Sequence, residues 1–576
     1  MKKELRSHRW FYGANETGLL HKGALRASGI NMDDYKGQPI IGIANTWSEL
    51  NNCNMSLRNV AEEVKNGIRE AGGIPLEFPV ITLGEELMKP TAGLYRNLLS
   101  MDVEENIRSY PLDGVVLLGN CDKTVPGLLM GAISANLPTI QLNAGPKKVG
   151  VHKGLRLGSG TDLWKYWDEL RTGAIDEKEW EEIGKALSCG FGSCNTMGTA
   201  STINGILEAL GIMPLGLSTL PVESEKRFAM SREAGKRIVA MVNEDLRPAD
   251  ILTITAFRNA VSVCMALGGS TNAIIHLTAI AGRLNLSLYP EIFNELGALI
   301  PCIANVQPAG IKLIDEFDEA GGVPAVMKQL GELIDTNVTT YTGSKLSELL
   351  KGTSVINTDI IKEVKHPVTE APTIAIVTGN LAVDGAVIKV ATASPALMHH
   401  TGKALVFENY DDMLNRIDNE DLQVDASSVL VLRYAGPKAV PGMPEWGMIP
   451  IPKKLRMQGI TDMVRISDAR MSGTSFGTVI LHVAPEAAVG GALALVENGD
   501  TITLNLAEKR LTLNVSEEEL TRRNCLWQPP ASKHKRGYPK LYIREVLQAN
   551  EGCDFDFLKP KDASELVFIE PIVGRS

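Results

Sequence analysis

Cysteine, carboxylate and lysine side chains gather in a few short polar segments of this sequence. Cys53 stands in Asn51-Asn52-Cys53-Asn54, Cys121 in Gly119-Asn120-Cys121-Asp122-Lys123-Thr124, and Cys194 in Gly192-Ser193-Cys194-Asn195-Thr196-Met197-Gly198. Thiolates are soft ligands that match iron, and glycine-bearing loops let backbone amides approach a metal cluster closely. The spacings follow no ferredoxin pattern. A lone cysteine is otherwise a small buried hydrophobe. Cys264, in the apolar run Ala260-Val261-Ser262-Val263-Cys264-Met265-Ala266, and Cys302, in Leu299-Ile300-Pro301-Cys302-Ile303, read that way. Cys189 lies close enough to Cys194 for the pair to clamp a metal, so spacing alone does not choose between them.

Asp122 and Lys123 adjoin Cys121, and a hard carboxylate beside a soft thiolate points to two different metals, with oxygen ligands suiting magnesium. Asp122-Lys123-Thr124 also matches the phosphorylated loop of cation-pumping ATPases, but membrane helices are missing and Val125-Pro126 follows in place of glycine. Glu85, in Thr82-Leu83-Gly84-Glu85-Glu86-Leu87, and Glu445, in Gly442-Met443-Pro444-Glu445-Trp446, are further candidate magnesium ligands. The competing reading of each is a solvated surface charge. The segment from Asp468 to Thr478 is dense in hydroxyls and glycine, and reads equally as an anion cradle containing Arg470 or as a turn. No Gly-x-Ser-x-Gly elbow surrounds Ser472, which counts against a serine hydrolase. His399 and His400 are neighbours on a predicted strand and so face opposite sides, which disfavours joint metal binding.

Short apolar strands alternate with helical patterns through the first two thirds of the chain, as in α/β layer structures. Pro39 to Ile43 reads as a strand that opens into a polar loop. Residues 55–71 read as a helix, because Leu57, Val60, Val64 and Ile68 share one face and Gly72-Gly73 supplies the stop. Phe78 to Ile81 and Gly114 to Leu118 are further strands, the latter followed by the Cys121 loop and by Pro126 near a helix start. Open α/β sheets place ligands at such strand ends. From about Ala371 the pattern changes to short β-rich runs separated by Gly, Asp and Asn turns, and Lys362 to Pro372 reads as the linker. The expected fold is therefore α/β: residues 1–370 form an N-terminal domain with a parallel sheet that carries the cysteines, and residues 371–576 form a β-rich domain that carries Glu445 and Ser472.

The 576 residues exceed what one hydrophobic core supports. A formal charge of -10 argues against a nucleic-acid partner, which demands a basic surface. The N-terminal segment Met1 to Trp10 lacks the apolar stretch of a secretory signal, and no run of about eighteen apolar residues suggests a membrane span. A cytoplasmic location is expected, and eight scattered cysteines are too sparse for a disulfide scaffold.

With these segments in hand, the chain resembles the family of dihydroxy-acid and sugar-acid dehydratases, which includes 6-phosphogluconate dehydratase. The markers run nearly end to end: Gly119 to Gly127, Ser193 to Ala200, Leu267-Gly268-Gly269-Ser270-Thr271-Asn272, and His482-Val483-Ala484-Pro485-Glu486-Ala487. The resemblance implies that Cys53, Cys121 and Cys194 hold an iron-sulfur cluster of the 2Fe-2S type with one iron open to substrate. It implies that Glu85, Asp122 and Glu445 ligate Mg2+, joined by Lys123 if carbamylated, that Ser472 acts as the base, and that Cys189 merely packs. Asn51-Asn52-Cys53 departs from the family's more familiar Thr-Pro-Cys. The Asp468 to Thr474 loop resembles the sugar-acid branch, and Trp527-Gln528-Pro529-Pro530, Arg536-Gly537-Tyr538 and Glu551 to Leu558 resemble the C-terminal extension of arabinonate and xylonate dehydratases. The implied activity is dehydration of a pentonate or hexonate, such as arabinonate, xylonate or gluconate, to a 2-keto-3-deoxy acid by a homodimer or homotetramer. The alternatives are a dihydroxy-acid dehydratase of branched-chain amino-acid synthesis and a non-catalytic iron-sulfur sensor.

Overall fold

The computed structural model describes residues 4–13 and 15–574. The first three residues of the N-terminal segment read above lie outside them. Four strands, β1 (Ile40–Asn45), β2 (Ile74–Pro79), β3 (Gly114–Leu118) and β4 (Thr139–Leu142), form a parallel sheet in the order β2-β1-β3-β4. Side chains alternate across it. Ile41, Ile43, Val116 and Leu118 enter one core, while Ala44, Val115 and Leu117 enter the other. Burial on both faces explains why these strands read as continuous apolar runs.

Helices cover both faces: α1 (Leu57–Glu70), α2 (Arg96–Ser109), α3 (Thr124–Ala135), α4 (Thr199–Ala209), α5 (Glu225–Glu244), α6 (Ile254–Ala266) and α7 (Asn272–Gly282). The stripe Leu57, Val60, Val64 and Ile68 is buried, as its spacing predicts. Here α1 meets α5 backbone to backbone: a Cβ on Gly67 would run into the Arg232 carbonyl, so only glycine fits. A small hairpin, β5 (Gly150–His152) with β6 (Leu155–Leu157), follows β4.

The remaining strands are β7 (Ala375–Gly379), β8 (Ala382–Ile388), β9 (His399–Phe407), β10 (Val429–Leu432), β11 (Arg465–Ser467), β12 (Val479–Ala484), β13 (Thr501–Asn505) and β14 (Arg510–Leu513). They close into a barrel in the order β10-β11-β12-β8-β7-β14-β13-β9. Closure leaves no free strand edge. The pairing is mixed, with β9, β10, β11 and β12 parallel in succession. Among the described residues, no helix is long and apolar enough to cross a membrane.

The C-terminal segment departs from the β-rich pattern. After the barrel, α8 (Gly537–Glu545) and the residues that follow pack Tyr542, Val546 and Phe555 against Leu94 and Ile275 of the first domain. Arg283 and Asp554, both fully buried or nearly so, pair through two contacts of 2.6 and 3.0 Å. Arg96 donates to the carbonyls of Gly552 and Cys553, at 2.8 Å each. On the barrel side Gln548 accepts from the Glu486 amide and donates to its carboxylate, both at 2.9 Å, so the tail is a brace across the two domains.

Asp554→Ala leaves the buried Arg283 guanidinium with only the more distant Glu104, at 3.8 Å, as counter-ion, and breaking a buried pair in this way typically costs about 3–5 kcal/mol. A clearly lowered thermal midpoint is expected, with Asp554→Asn milder because it keeps an acceptor. An alanine variant as stable as the parent would show that the tail is not a brace.

Candidate functional site

Cys53, Cys121 and Cys194 come from three loops that backbone and asparagine hydrogen bonds stitch together. Cys53 lies in a single helical turn, Asn52–Asn54, after β1, and Cys121 lies in the loop after β3, so both occupy C-terminal ends of the parallel strands. The Asn54 side-chain oxygen accepts from the amides of Asn120 and Cys121 at 3.2 and 3.3 Å. Asn120 returns its amide hydrogens to the carbonyls of Cys53 and Gly145, both at 2.8 Å. The third loop is tied to the same points: Gly192 N–H donates to Asn52 O, and Ser193 N–H to Gly145 O. Asn51, at the departure from Thr-Pro-Cys, donates to Leu83 O and fixes the Glu85 loop.

Hydrogen bonding to Cys53 first, then burial, pushes the Cys121 thiol well above its ordinary range. Cys121 Sγ lies 3.5 Å from Asp122 Oδ1. Cys194 keeps part of its surface toward solvent, yet enough protein surrounds it to raise its thiol, against the lowering effect of Lys147. Asp122 also acts on Cys194 through its charge, which links the cysteine loops to the carboxylates. Cys189 donates to Ala186 O at 2.7 Å.

The Lys123 ammonium is fully buried and sits among three carboxylates. It pairs with Asp122, with Glu445 Oε1 at 2.7 Å and with Glu85 Oε2 at 3.2 Å. Neither glutamate is a solvated surface charge. Glu445 arrives from the barrel, on a loop that passes so close to Leu94 that a Cβ on Gly442 would strike its amide. Burial alone would raise Glu445, but Lys123 and Arg470 outweigh it and hold the carboxyl at about 2. Burial raises Glu85, with Lys123 opposing. Burial and Arg470 would lower Lys123, but its three carboxylates keep it above its ordinary range.

Arg470 and Asn272 lock this group across the domain seam. Arg470 donates to Met443 O at 2.7 Å, to Glu445 Oε1 at 2.9 Å and to Thr91 Oγ1 at 3.0 Å, and Thr91 donates in turn to Glu85 at 2.6 Å. Asn272 Nδ2 reaches Glu445 Oε1 at 2.9 Å and the Met471 carbonyl at 3.0 Å. That last contact brings the Ser472 loop beside the carboxylates. Ser472 is half-buried; its Oγ lies 2.9 Å from Thr474 Oγ1 and 3.4 Å from the Thr474 amide, while Trp164 donates to Thr474 Oγ1 at 3.2 Å.

The loop from Asp468 to Thr478 is therefore chiefly a clamp. The Asp468 carboxylate is itself buried, accepts from the amides of Ala435 and Ala487, and is raised to about 6 by burial. Asn54, Asn120, Asn272 and Trp164 escaped the sequence reading as site residues. Asn54, Asn120 and Asn272 do sit inside the quoted motifs, and that placement was the available signal.

Among the described residues, no three His, Cys, Asp or Glu side chains stand grouped as a ready metal site, because the carboxylates close on Lys123 instead. The donor chemistry still fits two metals. Neighbouring thiols offer soft ligands, and Glu85 Oε2 is buried outside hydrogen-bond geometry and has a coordination position unused. A surface cleft of about 840 Å³ around Arg258, Asn259 and Asp335 contains none of these residues.

Two family models match the chain: the dihydroxy-acid/6-phosphogluconate dehydratase N-terminal domain over residues 38–349, and the C-terminal domain over residues 359–553. A 6-deoxy-6-sulfo-D-gluconate dehydratase of Pseudomonas putida is 45% identical over 97% of each chain. An L-arabinonate dehydratase of Rhizobium leguminosarum bv. trifolii is 45% identical over 97% of this chain and 96% of its own. A dihydroxy-acid dehydratase of Moorella thermoacetica is 39% identical over 94% and 99% respectively.

Because the folded Glu445 carboxyl lies below its unfolded value of 4.5, it adds stability that is complete above pH 4.5 and lost as pH falls toward about 2. Thermal midpoints measured through this acid window should fall less steeply in Glu445→Gln than in the parent. Parallel slopes would remove Glu445 from the ion cluster.

Proposed function

The chain belongs to the dihydroxy-acid/6-phosphogluconate dehydratase family, and from that premise we propose that it removes water from a sugar acid, a pentonate or hexonate, to give a 2-keto-3-deoxy acid. The protein is a dehydratase, a hydro-lyase. The observation that carries the site assignment is Asn272, which bonds Glu445 and the Met471 carbonyl at once and so couples the carboxylate cluster to the Ser472 loop. Greater identity to dehydratases named for sugar acids than to the dihydroxy-acid dehydratase supports the substrate class.

Ser472 is the base that takes the C2 proton. A free serine is far too weak for this at neutral pH, so the site must favour its ionised oxygen. The Thr474 amide and hydroxyl are the donors within reach. Trp164 occupies Thr474 Oγ1 as a donor and leaves the threonine hydrogen free to point at Ser472. Arg470 is committed to Glu445, Thr91 and Met443, so it shapes the local field rather than gripping substrate.

Cys53, Cys121 and Cys194 would hold an iron-sulfur cluster, and Glu85, Asp122 and Glu445 would hold Mg2+, which when bound supply Lewis-acid assistance to the leaving C3 hydroxyl and to the charge developing at C2. The ammonium of Lys123 competes with a divalent cation for the same three carboxylates. Carbamylation would convert that cation into an anion and so into a fourth oxygen donor. A cytoplasmic homo-oligomer acting on a small-molecule substrate completes the proposal.

An aldonic-acid panel assayed anaerobically with magnesium, beside 2,3-dihydroxyisovalerate, tests the substrate class. Turnover of the branched-chain substrate alone would reverse it. Ser472→Ala should keep fold and visible absorbance while kcat falls by roughly 10²–10⁴, whereas Cys121→Ser should lose the absorbance. Full turnover in the alanine variant would end the base assignment.

A further inference from the structure

Lys389 leaves the end of β8 and runs, fully buried, out of the barrel toward the first domain. Its ammonium reaches the Gly473 carbonyl at 3.4 Å, the one hydrogen bond it makes among the described residues. The charged or titratable groups that face it are Cys264 on α6 and Cys302 on the segment after Ile300. Among the described residues no carboxylate pairs with it. Burial lowers Lys389 to about 8, and burial raises both thiols to about 12, so at neutral pH the lysine is charged and the thiols are neutral.

An ammonium with three hydrogens, one long acceptor and no counter-ion is costly to bury. Neutral leucine or methionine would fill the same space without that cost. The charge therefore has something to act on, and the nearest polar element is the loop it touches. Gly473 follows Ser472 directly. That glycine is pressed against the first turn of α4, where a Cβ would meet the Thr199 amide and the Ser270 side chain, so the loop cannot drift from the lysine. Cys302 and Cys264 lie under Gly268 and Gly269 of the turn that leads to Ser270 and Asn272, so the same pocket supports both sides of the Ser472 loop.

We propose that Lys389 is a positioning residue for Ser472, whose buried ammonium seats the loop through the Gly473 carbonyl and biases the serine oxygen toward its ionised form. The proposal rests on the reading of Ser472 as the base. It acts through charge in a poorly screened interior, where one unit charge at this range shifts a neighbouring ionisation by about one pH unit.

Lys389→Met and Lys389→Gln remove the charge, and Lys389→Arg keeps it. In the neutral variants the ascending limb of the kcat–pH profile should move up by about one unit, kcat at neutral pH should fall about tenfold, and KM should change less than twofold. The arginine variant should keep the limb where the parent has it. Iron content and visible absorbance should be unchanged in all three. A double-mutant cycle separates the two claims: against Ser472→Ala, adding Lys389→Met should cost no further kcat. An equal tenfold loss in that background would overturn the link to Ser472, while a fully active Ser472→Ala would instead overturn the base itself. A limb that stays put in the neutral variants would also refute the proposal. Should neither neutral variant fold, a limb displaced by a full unit in the arginine variant, which retains the charge, would refute it as well.

Discussion

The burial of the Lys123 ammonium among Asp122, Glu85 and Glu445 is the constraint on which the site depends. Each of these charges would be prohibitive alone in a dry interior, and together they are tolerable only while all four stay in register. Three of them follow strands of the parallel sheet, and Glu445 comes from the barrel. The domains therefore cannot separate without exposing an unbalanced ion group. Arg470 adds a second cation to the same seam and offsets part of the excess negative charge that three carboxylates and one lysine leave. The seam that gathers the carboxylates and the seam that joins the domains are one.

That arrangement explains the shape of the rest. The parallel sheet delivers Cys53, Glu85 and Cys121 from successive strand ends, so three loops converge at one end of it. The barrel has a different task, which is to hold Glu445, Arg470 and Ser472 rigidly opposite. A closed sheet suits it, since its strands have no free edges to slip. The C-terminal brace is tied to the first domain through Arg283, Asp554 and Arg96, and to the barrel through Gln548 and Glu486.

What was legible in the sequence follows a physical rule. Periodicity is local, so the helix stripe of Leu57, Val60, Val64 and Ile68 and the buried strand Gly114 to Leu118 could be read directly. Motif chemistry is also local, and it named Cys121, Asp122 and Lys123 together. Closure of the barrel depends on which distant strands pair, and no short window encodes the parallel run from β9 to β12. The tail misled for a related reason: it follows the β-rich region in the chain yet packs on the other domain. Asn54 and Asn120 look like loop asparagines until their partners, which lie in other loops, are known.

Two lysines, both fully buried, show how the same side chain serves opposite purposes. Lys123 meets three carboxylates, and its proton is held more tightly than in water. Lys389 meets two neutral thiols and a carbonyl, and burial loosens its proton to about 8. A compensated charge has little field beyond its own partners, because the carboxylates cancel it within a few ångströms. An uncompensated one projects its field into whatever polar group lies nearest. Lys123 is thus suited to holding a cluster of acids together or to yielding its place among them, and Lys389 is suited to acting at a distance on an adjacent hydroxyl. The loop between Met471 and Thr474 is where the two influences meet. Asn272 ties one side of it to the carboxylate group around Lys123, and the Gly473 carbonyl ties the other to Lys389.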